Sequence, residues 1–252
     1  MGKLNGKVAI ISGAGYGLGR GIALALGKEG AKVASIGRTE SKLKEFKEEM
    51  ESRGYEAEYF VGDVSKRDDV KAFIQQTVDQ WGTVDIVVNN AMAYNMRSFI
   101  ETTEEDIMKI FNSSCMGTIH MMQEAFPYLK VKGGKVINFG SIAGLFGMVD
   151  HSSYAMCKEG ILGLTRSVAL EWAPYNIQVN AIAPAGATPA WFQFEKEQPA
   201  EIVEAFLSQI PAHRMGDPEN DIGPVVAFLA SPESNWVTAR CIPVDGGQAA
   251  TR

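Results

Sequence analysis

Seven short runs rich in Val, Ile and Ala recur along the chain, and stretches with helical spacing lie between them. The runs occupy residues 7–12, 32–36, 57–62, 84–89, 134–140, 177–182 and 241–244. Segments 17–29, 40–53, 66–81, 103–130, 153–173 and 220–230 carry apolar residues at the helical period. Such alternation predicts βαβ units feeding a parallel sheet. Continuous apolar runs such as Val8-Ala9-Ile10-Ile11 suit strands covered on both faces. The expected class is therefore α/β, a doubly wound parallel sheet of about seven strands with helices on both faces.

At 252 residues, one such domain can still share a single core. No repeat, low-complexity tract or linker-like composition interrupts residues 1–252, which read as one dinucleotide-binding and catalytic domain. Pro174 and Pro218 end helical stretches. The one long irregular insertion is 184–216, containing Trp191, Phe192, Phe194 and the amphipathic piece Ile202–Leu207. A long segment of this kind inside a compact domain is expected to serve as a lid over a substrate.

Charge and cysteine usage narrow the surroundings. A net charge of −6 gives no general attraction to nucleic acid or anionic membrane. The apolar runs are far too short to span a bilayer, and residues 1–7 carry no signal-peptide core. Met1-Gly2 could open a myristoylation signal, but the sixth position is Gly6 rather than Ser or Thr. Cys115, Cys157 and Cys241 are isolated and odd in number, which points to neither disulfides nor a metal site. A reducing cytoplasm is the expected location.

Directly after the first run comes Ser12-Gly13-Ala14-Gly15-Tyr16-Gly17-Leu18-Gly19, leading into a helix. Glycines at this position allow a tight turn and let backbone approach a pyrophosphate, which the helix N-terminus stabilises. The spacing is G-x-x-x-G-x-G rather than G-x-G-x-x-G, so the strand–turn–helix setting carries the reading. The sheet is expected to be Rossmann-like. The second strand ends at Gly37-Arg38-Thr39, where a carboxylate would favour NAD by repelling a 2′-phosphate. Arg38 would attract that phosphate, so NADP is the expected cofactor. An arginine that merely opens a helix into water would leave the same letters.

Tyr154-Ala155-Met156-Cys157-Lys158 puts a phenol and an ammonium one helical turn apart on one face. A lysine cation and a positive nicotinamide ring would lower a tyrosine pKa toward the working range. Upstream, Ser141 follows the strand ending at Phe139, at the sheet edge where open α/β folds bind ligands. Taken in order, the glycine loop, Ser141, Tyr154 and Lys158 resemble the short-chain dehydrogenase/reductase family over essentially the whole chain. The resemblance implies that Tyr154 transfers a proton, Ser141 orients the carbonyl, and Lys158 binds ribose and assists Tyr154. It further implies cofactor contacts from Ser12, Gly13, Gly15, Tyr16, Gly17, Leu18, Gly19 and Arg38. Asp63 and Val64 stand at the adenine, Asn90, Ala91 and Met92 follow the fourth strand, and Pro184, Ala187 and Thr188 follow the sixth. Val244-Asp245-Gly246-Gly247 matches a family segment that helps assemble tetramers. With long helices at 103–130 and 153–173, it predicts a homotetramer.

Departures from the family pattern concern the proton relay and the nicotinamide side. Met92 replaces the usual glycine after Asn-Asn-Ala, and Ser114 stands in the catalytic relay where the family often has Asn. Asn112 lies two positions earlier on another helix face. Pro184-Ala185 replaces Pro-Gly, Thr188 comes one residue early, and Thr238-Ala239 replaces Thr-Gly. Asn89-Asn90-Ala91-Met92, Val136–Phe139, Gly144–Gly147 and Lys158–Gly160 look most like bacterial hydroxysteroid dehydrogenases. Tyr94, Met96, Met148, Trp191, Phe192, Phe194 and Met215 fall in loops expected to ring the site. Such a wall suits a hydrophobic cyclic or steroid-like alcohol or ketone. A 3-oxoacyl thioester reductase is the enzymatic alternative, since only Arg97 and Arg214 are available nearby for a carrier phosphate. A non-catalytic NADP-binding regulatory protein is the alternative of another class, favoured by the departures and opposed by the intact Ser141, Tyr154 and Lys158.

Overall fold

The structure is a computed structural model that describes residues 2–251. Seven strands form it: β1 (Val8–Ser12), β2 (Lys32–Gly37), β3 (Ala57–Val61), β4 (Ile86–Asn89), β5 (Gly134–Phe139), β6 (Ile177–Pro184) and β7 (Cys241–Val244). All neighbours pair in parallel, in the order β3-β2-β1-β4-β5-β6-β7. The Rossmann-like sheet expected from the alternation is thus formed. Every residue of β1 and β4 is buried, as continuous apolar runs require in a sheet covered on both sides.

Strand residues alternate between two cores. On one face, Ile11, Val88, Ile137 and Ile182 pack with Ile22 of α1 (Gly17–Lys28), Phe46 of α2 (Glu40–Ser52) and Val226 of the last helix. On the other, Ile10, Val87, Val136 and Val179 meet Phe73 of α3 (Arg67–Trp81) and a later pair of helices. The order reverses between β1, which leads outward through β2 to β3, and β4, which starts the opposite half. Their carboxyl ends therefore frame a crevice, the usual ligand position in open α/β sheets.

The single helix expected over 103–130 is divided. α4 (Glu104–Phe111) starts at a reciprocal cap in which Thr103 and Asp106 satisfy each other's backbone N–H groups. A π-helical turn, Asn112–Met116, precedes α5 (Gly117–Lys132). Packing explains the break: a Cβ on Gly117 would lie 2.7 Å from a Val64 methyl, so the backbone itself sits against the segment after β3. α5 also continues through Pro127, which no helix-ending signal in its flanks had opposed.

Three further helices lie outside the segments with helical spacing. α6 (Ile142–Phe146) follows β5 and leads into α7 (Ser152–Trp172). Segment 184–216, expected to be irregular, contains α8 (Pro189–Glu197) and α9 (Ala200–Leu207). Its ends are joined by a bridge between Gly186 and Gly216. Trp191, Phe194 and Phe206 stack with centroids 5.3–5.8 Å apart and hold α8 to α9. α10 (Gly223–Ala230) completes the first face after a second π turn at Pro218–Ile222.

Candidate active site

β1 delivers the glycine loop to the crevice. Gly13 and Gly17 adopt φ of 80° and 61°, and a Cβ on Gly19 would lie 2.2 Å from the Gly13 carbonyl oxygen. Only glycine fits such a turn. Arg20 fastens it from outside, donating to the carbonyls of Ala14 (3.2 Å) and Gly15 while pairing with Glu49 at 2.8 Å. The Asn90 amide donates to the carbonyls of Ser12 (2.9 Å) and Gly13 (3.0 Å), locking β1 to the end of β4.

A cleft of about 330 Å³ runs from this loop to α7. Gly13, Gly15, Tyr16, Gly17, Leu18 and Gly19 form one wall. Arg38 lies at its mouth, exposed and without an ion pair among the described residues. Asp63 and Val64 face it after β3, with the Val64 carbonyl accepting from Nδ1 of His120 at 3.0 Å. Asn90, Ala91 and Met92 follow from β4, and Pro184 and Thr188 from the end of β6. Two expected contacts lie behind the wall. The Ser12 hydroxyl accepts from the Ala91 N–H at 3.0 Å, and Ala187 is engaged with the Gly216 carbonyl at 2.8 Å. Each is consumed by holding its loop.

The far end of the cleft gathers Ser141, Tyr154 and Lys158. Ser141 caps α6, its Oγ accepting from the Ala143 N–H at 3.1 Å. Tyr154 and Lys158 occupy successive turns of α7. Burial raises the Tyr154 pKa, a Ser141 hydrogen bond works against that rise, and the Tyr94 phenol adds to it. This differs from the downward shift expected from Lys158. The Lys158 ammonium instead sits 5.6 Å from the Tyr154 ring centroid and donates to the Phe139 carbonyl at 2.9 Å. Burial, with no carboxylate paired to it among the described residues, brings its own pKa down to about 8.

That shift has a stability consequence. Between pH 8 and the ordinary lysine value near 10.5, the unfolded chain binds more protons than the folded one, so this residue's unfavourable contribution is complete below pH 8 and fades as pH rises. Lys158→Met should stabilise the cofactor-free protein by on the order of 1–2 kcal/mol at pH 7, after the lost hydrogen bond to Phe139 is counted. The gap between the two melting curves should shrink by pH 10. Parallel thermal melts check this, and a gap that widens with pH would refute it.

Ser114 does not line the cleft. It is buried in the π turn, its hydroxyl without a partner among the described residues, while the neighbouring Ser113 lines the cleft. The Ser113 hydroxyl accepts from Ala93 N–H at 2.8 Å and donates to the Lys109 carbonyl at 2.9 Å. Other wall residues passed over in the sequence are Lys42, Pro189 and Ala190. Lys42 lies one turn beyond Arg38, a spacing that could have marked it. Among the described residues no three metal-ligating side chains come together, and no helix is long and apolar enough to cross a membrane.

A family described as enoyl-(acyl carrier protein) reductase matches residues 13–249, and a 12alpha-hydroxysteroid dehydrogenase from a Clostridium species is 40% identical, covering 98% of both chains. The chain belongs to the short-chain dehydrogenase/reductase family. A 3-oxoacyl-(acyl-carrier-protein) reductase from Thermotoga maritima is 34% identical, over 97% of this chain and 98% of its own. The crystal structure of a levodione reductase superposes with a TM-score of 0.92 at 31% identity, covering 99% of this chain and 100% of that one. As a short-chain dehydrogenase/reductase, the protein is an oxidoreductase that uses a nicotinamide cofactor on small molecules. Its cleft fits that group: the turn Gly13–Gly19, bare of side chains at Gly13, Gly15, Gly17 and Gly19, opens a cradle for phosphates at the α1 N-terminus, and the cleft continues to the Tyr154 phenol.

Proposed function

We propose that the enzyme interconverts a secondary alcohol and a ketone using NADP(H). The observation that carries this reading is the meeting of Ser141, Tyr154 and Lys158 in the same cleft that begins at the glycine loop. When bound, the nicotinamide supplies or takes up the hydride. Tyr154 Oη gives its proton to the carbonyl oxygen in reduction and recovers it in oxidation. The Ser141 hydroxyl donates to the same oxygen and fixes the carbonyl's orientation. Lys158 would hold the cofactor ribose, and its cation would favour the phenolate left after proton transfer. Exposed Arg38, with Lys42 one turn on, supports the choice of a 2′-phosphorylated cofactor.

A hydrophobic cyclic or steroid-like substrate is supported by exposed Tyr94, Met96, Met148 and Phe192 around the loops, and by the likeness to the 12alpha-hydroxysteroid dehydrogenase. Trp191 and Phe194 are engaged within the 184–216 segment instead, which we assign as the lid; Pro189 lies 3.4 Å from the position of a Gly17 Cβ, so lid and phosphate loop adjoin. The 3-oxoacyl reductase reading is favoured by the Thermotoga relative. NADPH absorbance decay with steroid ketones, cyclic ketones and 3-oxoacyl thioesters tests both. Turnover of the thioesters alone would select the second, and no turnover of any ketone would refute the first. The assembly is expected to be a homotetramer, as the C-terminal Asp245-Gly246-Gly247 suggests. Light scattering at micromolar concentration should give four times the chain mass of 27.3 kDa, and a monomer mass would contradict it.

A further inference from the structure

A second phenol stands beside the reacting one. Tyr94, in the loop after β4, meets the Tyr154 ring edge-on with centroids 5.4 Å apart. Its hydroxyl lies 2.6 Å from Nε2 of His151, the residue preceding α7. The other ring nitrogen, Nδ1, lies 2.6 Å from the Val149 carbonyl oxygen. A carbonyl can only accept, so Nδ1 carries a proton, and in the neutral ring Nε2 is the acceptor. Tyr94 therefore commits its own proton to His151. What its oxygen has left is lone pairs.

The pair is built with one fixed end and one open end. His151 is 8% exposed and Tyr94 56% exposed. The backbone also ties the two loops together, through the Arg97 N–H donating to the Asp150 carbonyl at 2.9 Å. Neither Tyr94 nor His151 is needed for the proton transfer assigned to Tyr154. Their hydrogen bond fixes the hydroxyl of a phenol whose ring packs against the ring of Tyr154.

We propose that the Tyr94–His151 pair is a specificity device: the Tyr94 oxygen accepts a hydrogen bond from a second hydroxyl group carried near the reacting carbon. The inference rests on the alcohol/ketone reading of Tyr154 and names the substrate class within it. Hydroxy-ketones, and diols in the oxidative direction, are favoured over the matching deoxy ketones. A second carbonyl would meet lone pairs with lone pairs, and a carboxylate would add a full negative charge to the mismatch. Tyr94 touches the substrate; His151 is a positioning residue that sets which way the Tyr94 hydroxyl points.

The test compares kcat/KM for cyclohexanone, its hydroxy derivatives and its keto-acid counterpart with NADPH. The unmodified enzyme should favour a hydroxy derivative over cyclohexanone by about tenfold, the worth of one net hydrogen bond. Tyr94→Phe should bring that ratio to within about twofold of unity. His151→Phe releases the Tyr94 proton, so the keto acid should gain on the hydroxy ketone, a reversal that mere loosening of the loop would not produce. Thermal melts confirm that both variants are folded. Equal use of hydroxy and plain ketone by the unmodified enzyme, or a preference that survives Tyr94→Phe, overturns the proposal. A preference for the keto acid in the unmodified enzyme does so too, because it requires the opposite donor sense. Failure to reduce any ketone is a different result: it removes the alcohol/ketone reading and this inference with it.

Discussion

Tyr154→Phe should lower kcat by about 10²- to 10⁴-fold while leaving NADPH affinity nearly unchanged. The substitution deletes one oxygen and keeps the ring, so the edge-on packing against Tyr94 survives. The loss equals roughly 3–5 kcal/mol of barrier and belongs to the proton transfer alone. Lys158→Ala should weaken both cofactor binding and turnover, since its buried ammonium is assigned to the ribose as well as to the phenol. Ser114→Ala should be milder than either, because the Ser114 side chain lies behind the cleft wall. Steady-state rates and NADPH titrations on all three variants separate these roles. A Tyr154→Phe enzyme that kept more than about a tenth of the activity would show that another group supplies the proton.

Gly37→Asp should reverse cofactor preference, with the NADP-to-NAD affinity ratio falling by about 10²-fold at low salt. The unmodified site ends β2 with no side chain at Gly37 and places Arg38 next in the chain. A carboxylate there would repel a 2′-phosphate, and two charges in contact near a protein surface repel by about 1–4 kcal/mol. The same carboxylate would bond the unphosphorylated ribose of NAD. Steric cost is small, because the atoms nearest the new Cβ all belong to the Leu43 side chain, its closer methyl at 3.3 Å, and that side chain can shift. Added salt should shrink the effect, as it does for exposed charges. Titration showing that the unmodified protein already binds NAD as tightly as NADP would overturn the assignment of Arg38.

The sheet and its order of elements were readable because burial on both faces writes itself as runs rich in apolar residues, most completely in β1 and β4. The strand runs drawn from the sequence end within two residues of β1 to β7. Local helices were harder. α6 is only five residues long, too short for its helical period to repeat, and its start depends on Ser141, which the sequence marks as a catalytic hydroxyl rather than a cap. Segment 184–216 hid α8 and α9 because their apolar residues face each other through the Trp191, Phe194 and Phe206 stack instead of the main core.

The site divides the same way. Gly13–Gly19, Ser141, Tyr154 and Lys158 were legible as spaced motifs, since their chemistry constrains residue type and interval together. His151 was not: a single histidine in a loop has no pattern, and its partner Tyr94 lies 57 residues away. Ser12 and Ala187 carried the right position along the chain, but their hydrogen bonds run to the Ala91 N–H and Gly216 carbonyl, which no spacing rule reveals.

The π turn at Asn112–Met116 makes α4 and α5 two helical registers out of phase with each other. An α-helix advances each side chain by about 100°, so counting back from Gly117 assigns a different facing to residue 114 than counting forward from Thr103. Residue numbering along this segment is consequently a poor ruler for comparing relatives. Removing one residue from 112–116 would bring the two halves back into step. It would also swing Ile110 away from Cys157 and Ile161 on α7, or else Gly117 away from Val64. The surplus residue thus acts as a phase shifter, letting one helical rod meet α7 on one side of the π turn and the segment after β3 on the other.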